Sequence, residues 1–211
     1  MLCCTVVAAL TEEAAPKRVA LVFDDGPVPE NVGPLLDLLA REGVRATFAL
    51  VGERVDEHPG IVQNVTSAAH EVVNHSQTHA HPRDLTDAAL DNEVGAAQRT
   101  IAARAGIAPR WYWPPFLELD DRVRTAAAHA GITPYVPRHL VVSMDYDRGV
   151  PAAEILRRAT TQVLDGSVIL FHEWRAETRE QLPAILNELR RQNCRFHTFS
   201  GLHESLTVLH E

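Results

Sequence analysis

The chain has 211 residues, 45% of them hydrophobic and 23% charged, an ordinary globular composition whose length suits one domain with a sizeable core. A formal charge of −8 with no basic stripe excludes a nucleic-acid surface and disfavours an anionic membrane surface, and no apolar run reaches the length of a membrane span. Cys3, Cys4 and Cys194 are odd in number and two of them are neighbours, which rules out a disulfide framework and points to a reducing, cytoplasmic location.

The opening stretch, Met1 to Leu10, is apolar but lacks the basic start of a secretory signal, and acidic Glu12 and Glu13 follow it. It reads as an edge segment or first strand within an N-terminal extension over 1–16. Val19-Ala20-Leu21-Val22-Phe23 is then a short strand buried on both faces, ending abruptly in Asp24-Asp25-Gly26-Pro27. The acids sit at the strand's C-terminal end, the edge of a parallel sheet where ligands bind. Successive residues there point in different directions, so one carboxylate can bind a cation while its neighbour faces a substrate.

A leucine stripe predicts a helix over 32–41, stopped by Gly43, followed by a strand over 46–51 and a helix over 59–69. The strand over 71–74 runs into His75, and His75 and His79 stand four apart, so that one helical turn directs both imidazoles to one side. Two His with a carboxylate form a common ligand set for a divalent metal with an open coordination position. The helix over 85–105 has Thr86 as its N-cap and ends at Gly106. An aromatic strand over 110–113 breaks at Pro114-Pro115; a helix over 121–130, strands over 133–136 and 140–143, and a helix over 152–164 follow.

Ser167 to Phe171 is another buried strand, and it delivers His172 to the same edge as the two acids, where an imidazole is the natural general acid near neutral pH. A helix over 179–191 and a strand over 195–199 close the pattern. His58, His81, His129, His139, His197, His203 and His210 have no comparable setting and read as surface residues. Strands alternating with helices imply an α/β domain with a parallel sheet, rolled into a barrel or doubly wound.

Four segments resemble, in order and spacing, the motifs of the NodB-type polysaccharide deacetylases, carbohydrate esterase family 4. They are Phe23 to Pro27, His70 to His79, Trp113-Pro114-Pro115-Phe116, and Val168 to His172. The resemblance spans about 17–202 and leaves 203–211 as a C-terminal tail. It implies an α/β fold, a distorted (β/α) barrel of about seven parallel strands, that binds one divalent ion and hydrolyses an N-acetyl group from an amino sugar. Zinc is the expected ion, with cobalt, nickel and iron equally suited to two His and one Asp. Carried over by position, Asp24 is the general base, Asp25, His75 and His79 hold the metal, and His172 is the general acid. A backbone N–H near Phe116 stabilises the oxyanion, and Trp113, Pro115 and Phe116 border the substrate.

The departures shape the expectation further. The family usually carries Arg before the Pro-Pro pair, where it holds the catalytic Asp; here that position is Trp113, and Arg110, Arg138 or Arg148 is left to substitute from elsewhere. Loss of that cation should let the Asp24 pKa rise. The family also supplies an Asp that tunes the catalytic His, and of Asp145 and Asp147 the reading favours Asp147, with the Trp that often follows missing. The altered third motif, in which Trp113 narrows the groove, together with the missing signal and the compact loops, favours a small soluble amide, such as an N-acetylated metabolite, or an oligosaccharide over a long polymer. The alternatives are hydrolysis of a cyclic amide, a formamide or an O-acetyl ester, and a catalytically weak binding module that keeps its metal.

Overall fold

The computed structural model describes residues 15–207, so the opening apolar stretch lies outside the described residues. The strands are β1 (Lys17–Gly26), β2 (Thr47–Leu50), β3 (Glu71–Asn74), β4 (Trp111–Tyr112), β5 (Thr133–Pro134), β6 (His139–Val142), β7 (Ser167–His172) and β8 (Cys194–His197). Between and after them run α1 (Pro29–Arg41), α2 (Gly52–Glu57), α3 (Pro59–Ser67), α4 (Asp87–Ala105), α5 (Asp121–His129), α6 (Ala152–Thr160), α7 (Ala176–Arg191) and α8 (Phe199–Thr207). Every strand pairing is parallel. Seven strands follow the order β5-β4-β3-β2-β1-β7-β6, and β8 pairs with the beginning of β1. The result is a half-barrel that leaves β5 and β6 as its two ends, in keeping with the barrel that the sequence motifs imply.

β1 is apolar without interruption because both of its faces are covered. Val19, Leu21 and Phe23 pack outward among α1 and α7, with Phe48 of β2 and Phe171 of β7, whereas Ala20 and Val22 pack inward among Trp111, Trp113, Leu170 and Phe199. Each such fully buried large side chain contributes about 1.5–3 kcal/mol relative to exposure. The alternation sets the direction of the chemistry: continuing the inward set Ala20, Val22 leads to Asp24, and continuing Val168, Leu170 on β7 leads to His172. Asp24 and His172 are direct register partners.

Several elements differ from the sequence expectation. α2 has only six residues, too short for a periodic signal, and was not anticipated. The last strand stops at His197 rather than reaching Phe199, because Phe199 opens α8 and stacks on Tyr135 with ring centroids 4.1 Å apart. Residues 203–207 therefore belong to a helix with buried Leu202 and Leu206, not to a tail. The α4 boundaries agree with the sequence: Thr86 Oγ1 accepts a hydrogen bond from Ala89 N, and Gly106 closes the helix at φ +70°.

Candidate active site

The two acids stand in a bulge. Phe23 pairs with Phe48 and Gly26 with Leu50, so β1 fits one residue more than β2 into the same length, and Asp25 takes the left-handed conformation at φ +63°. A bulge of this kind re-aims side chains beside a site. Asp24 points into the barrel, 6% exposed, while Asp25 turns toward the His75 loop. The turn is braced from below: Arg54 donates to the Asp25 carbonyl, and the Glu173 carboxyl accepts from Val28 N. A Cβ on Gly26 would run into Glu173 Oε2 and Leu50 Cδ2, so any other residue there would displace the buried Glu173 carboxyl or the Leu50 side chain. Burial pushes the Glu173 carboxyl up to about 8, against the pull of the Val28 N–H and Arg54.

His75 continues β3, its N–H bonding to the Leu50 carbonyl, but the segment to His79 is an irregular loop rather than the expected helical turn. Ser76 and His79 both take positive φ, at +65° and +62°. Polar side chains hold this shape: Asn74 Oδ1 accepts from Ser76 N at 2.9 Å, and Ser76 Oγ accepts from His79 N at 3.0 Å. The buried Glu93 of α4 accepts from Gln77 N, Thr78 N and Thr78 Oγ1. The loop achieves what the spacing suggested, with imidazole centroids 4.9 Å apart.

Asp25 Oδ1 lies 3.0 Å from His79 Nε2 and 3.4 Å from His75 Nε2, and the donor atoms of these three residues all fall within 4.8 Å of one another. His75 Nδ1 lies 2.6 Å from the Trp113 carbonyl, which makes Nδ1 a donor and turns Nε2 toward the carboxylates. His75 Nε2 and Asp24 Oδ1 are buried atoms without a hydrogen-bond partner, 3.1 Å apart. Two acids facing two imidazoles, with these atoms unpaired, fit a bound cation. The expected set Asp25, His75 and His79 is thus assembled and could hold a divalent ion.

Asp24 is held by an unexpected partner, since Trp113 Nε1 donates to its Oδ2 at 3.1 Å. Trp113 is fully buried, so it cannot border the substrate or narrow a groove; this corrects the sequence expectation. None of the three candidate arginines replaces the family's cation. Arg110 pairs with Glu204, Arg148 lies over the Trp174 ring at 5.4 Å, and Arg138 approaches Gly166 at the opposite end of β7. Burial drives the Asp24 pKa upward, the nearby Asp25 adds to the rise, and His75, His172 and Trp113 oppose it. Burial also acts to raise Asp25, but the His75 and His79 imidazoles facing it outweigh that and hold the carboxyl well below its usual range.

His172 is oriented by Asp145, not Asp147. Asp145 is fully buried; its Oδ1 meets His172 Nδ1 at 2.8 Å, and its Oδ2 accepts from His172 N and Thr178 Oγ1. Asp147 is exposed and accepts from Gly149 N within its own loop. Just before Asp145, Met144 at φ +63° turns the backbone, a feature that spacing alone does not reveal. Burial acts to lower the His172 pKa, but the Asp145 hydrogen bond and charge, with Asp24 and Asp25, raise it overall.

Pro115 is buried, and Phe116 is 48% exposed at φ +56° on the rim. The Phe116 ring sits 4.7 Å from His79 and stacks on His81, which is therefore part of the rim rather than a free surface residue. Trp174 was not anticipated; its Nε1 donates to Asp25 Oδ2 at 3.3 Å, and the indole lies beside His172. Glu93, Trp174 and Glu173 escaped the sequence reading because each acts across the fold, and only the position of Trp174 and Glu173 just after His172 hinted at them.

Comparison with known proteins agrees with this geometry. The polysaccharide deacetylase family model matches residues 11–135, more than half of the chain. A peptidoglycan-N-acetylglucosamine deacetylase of Bacillus cereus is 30% identical over 190 residues, covering 88% of each chain. The chain spans only 39% of a longer relative of that name from Listeria monocytogenes, at 28% identity over 89% of this chain. Among solved structures, a family 4 carbohydrate esterase from Streptomyces lividans in complex with acetate superimposes with a TM-score of 0.78 at 31% identity, covering 86% of this chain and 92% of that one. A mutant of a family 4 pseudoenzyme with restored activity superimposes with a TM-score of 0.82 at 26% identity, covering 89% of this chain and 67% of that one. Motifs, half-barrel and matches together show that the chain belongs to the polysaccharide deacetylase family, carbohydrate esterase family 4.

Proposed function

We propose that the protein hydrolyses the N-acetyl group of amino sugars within a saccharide of the N-acetylglucosamine type, releasing acetate and a free amine. The observation that carries this reading is the meeting of Asp24 and His172, paired in register, beside the Asp25, His75 and His79 cluster. A divalent ion held by Asp25, His75 and His79 would supply Lewis acidity toward the acetyl carbonyl and toward water. Asp24, with Oδ2 tied to Trp113 and Oδ1 free, takes the proton of the attacking water. His172, its Nδ1 bound by Asp145, presents Nε2–H to the departing amine and completes C–N cleavage. The Phe116 N–H donates to no other group among the described residues, and its segment supplies the rim for the sugar.

The expectation of a small soluble amide took its main support from the altered third motif, with Trp113 narrowing the groove. With that indole buried in the barrel, a saccharide is the better-supported substrate. A weakly active, metal-retaining protein is the second reading, favoured by one observation, the neutral indole standing in place of the family's cation on Asp24. The test is acetate release from N-acetylglucosamine oligomers of graded length, using chelator-stripped protein and protein reloaded with zinc, cobalt or nickel. Metal-dependent release supports the proposal. Stoichiometric metal binding without release from any oligomer favours the second reading.

A further inference from the structure

The cluster of Asp25, His75 and His79 uses one oxygen of Asp25. Oδ1 faces the two imidazoles, whereas Oδ2 turns to the other side, 4.0 Å from His172 Nε2. On that side Asp24, Asp25 and His172 form a second group whose donor atoms lie within 4.8 Å of one another. Asp24 and His172 are 6% and 8% exposed, and Asp24 Oδ1, which also lies 3.1 Å from His75 Nε2, is buried without a hydrogen-bond partner. Because Asp145 occupies His172 Nδ1, Nε2 is the nitrogen left to ligate.

We propose that Asp24, Asp25 and His172 form a second, weaker divalent-cation site, joined to the first through the two oxygens of Asp25 and filled when a metal such as zinc is in excess. Two-metal sites commonly hold their ions about 3.5–4 Å apart. The chemistry of the donors suits zinc, which accepts carboxylate oxygen and imidazole nitrogen alike. The site is weaker than the first for three reasons. It has one imidazole instead of two, Trp174 Nε1 already takes part of Oδ2, and its ion sits beside another positive charge. Asp145, fully buried behind His172, adds negative charge that offsets the last of these. Filling the site ties up Asp24 and His172 together, so the same metal that activates at low concentration inhibits at high concentration. The inhibition rests on the proposed roles of Asp24 and His172; the binding does not.

Equilibrium dialysis of the full, chelator-stripped chain against zinc, with bound metal measured by atomic emission, tests the proposal alongside acetate release at each concentration. The wild type should take up two equivalents in sequence, with release rising through the first and falling through the second. His172→Gln and Asp24→Asn should each lose the second equivalent and keep the first. His129→Gln, a change at an exposed histidine, should keep both. Saturation of the wild type at one equivalent overturns the site, as does a second equivalent that persists in both variants. A second equivalent that is lost in both variants but brings no inhibition upholds the site and overturns the acid and base assignment.

Discussion

Asp24 and Asp25 are adjacent in the chain, yet a bulge and one positive φ give them separate surroundings, the first facing an indole inside the barrel and the second facing two imidazoles. Asp25→Asn should therefore weaken metal binding, whereas Asp24→Asn should keep the first equivalent and lower kcat by about 10²–10⁴. Metal content by dialysis and acetate release separate the two; equal metal loss would mean that the roles are shared. Asp145→Asn should lower kcat on the order of 10²–10⁴-fold by releasing the His172 tautomer. Asp147→Asn should leave kcat unchanged and stability within about 0.5 kcal/mol. Trp113→Phe keeps a ring in the core but strips the donor from a buried oxygen, which should lower stability by about 1–3 kcal/mol in denaturant melts; kcat should fall as Asp24 loses its orientation, with KM unmoved. The convergence of the five residues at strand ends or in the paired-histidine motif was legible because a local pattern places each of them at the same edge of the sheet. Trp113, Asp145 and Trp174 were not, since their bonds to the site span 89, 27 and 149 residues of sequence.

At the scale of elements, the long periodic helices and the buried strands were readable from hydrophobic pattern, while the loops that carry the chemistry were not. The His75 to His79 segment shows why. Its spacing matches one helical turn, but Ser76 and His79 at positive φ and the side chains of Asn74 and Glu93 impose a different path to the same juxtaposition. Glu93 lies in the middle of α4, a helix placed correctly from sequence, and nothing in the helical pattern shows that its carboxylate satisfies three donors of a loop 15 and 16 residues upstream. Glu93→Ala leaves two backbone N–H groups and a hydroxyl without their acceptor. Stability should fall by about 1–3 kcal/mol in denaturant melts. Metal affinity should fall about 10–100-fold, as for other residues that orient ligands from behind. Unchanged affinity with reduced stability would show that the loop keeps its shape without Glu93.

For the whole molecule, the parallel half-barrel brings β1, β3 and β7 to one edge, and the cost of that convergence is a set of buried acids beneath the site. Glu173 is the clearest case. It is 3% exposed, its Oε2 has no hydrogen-bond partner, and burial pushes its pKa up to about 8 from the ordinary carboxylate range. The folded state therefore binds a proton that the unfolded state has released between about pH 4.5 and pH 8. In that window the unfolded chain carries fewer protons at this position, so stability declines as pH rises and levels off once the folded carboxyl also ionises. Each unit of difference corresponds to about 1.4 kcal/mol, and relaxation of the turn around the charged acid would reduce the total. Glu173→Gln retains an oxygen for Val28 N and removes the titration. Thermal melts from pH 5 to pH 9 should show the variant gaining steadily on the wild type up to about pH 8, with the difference constant above it. Parallel curves for the two proteins across that range would show that Glu173 is already ionised in the folded protein, and that Arg54 and the Val28 N–H, rather than a proton, support it beneath the acidic turn.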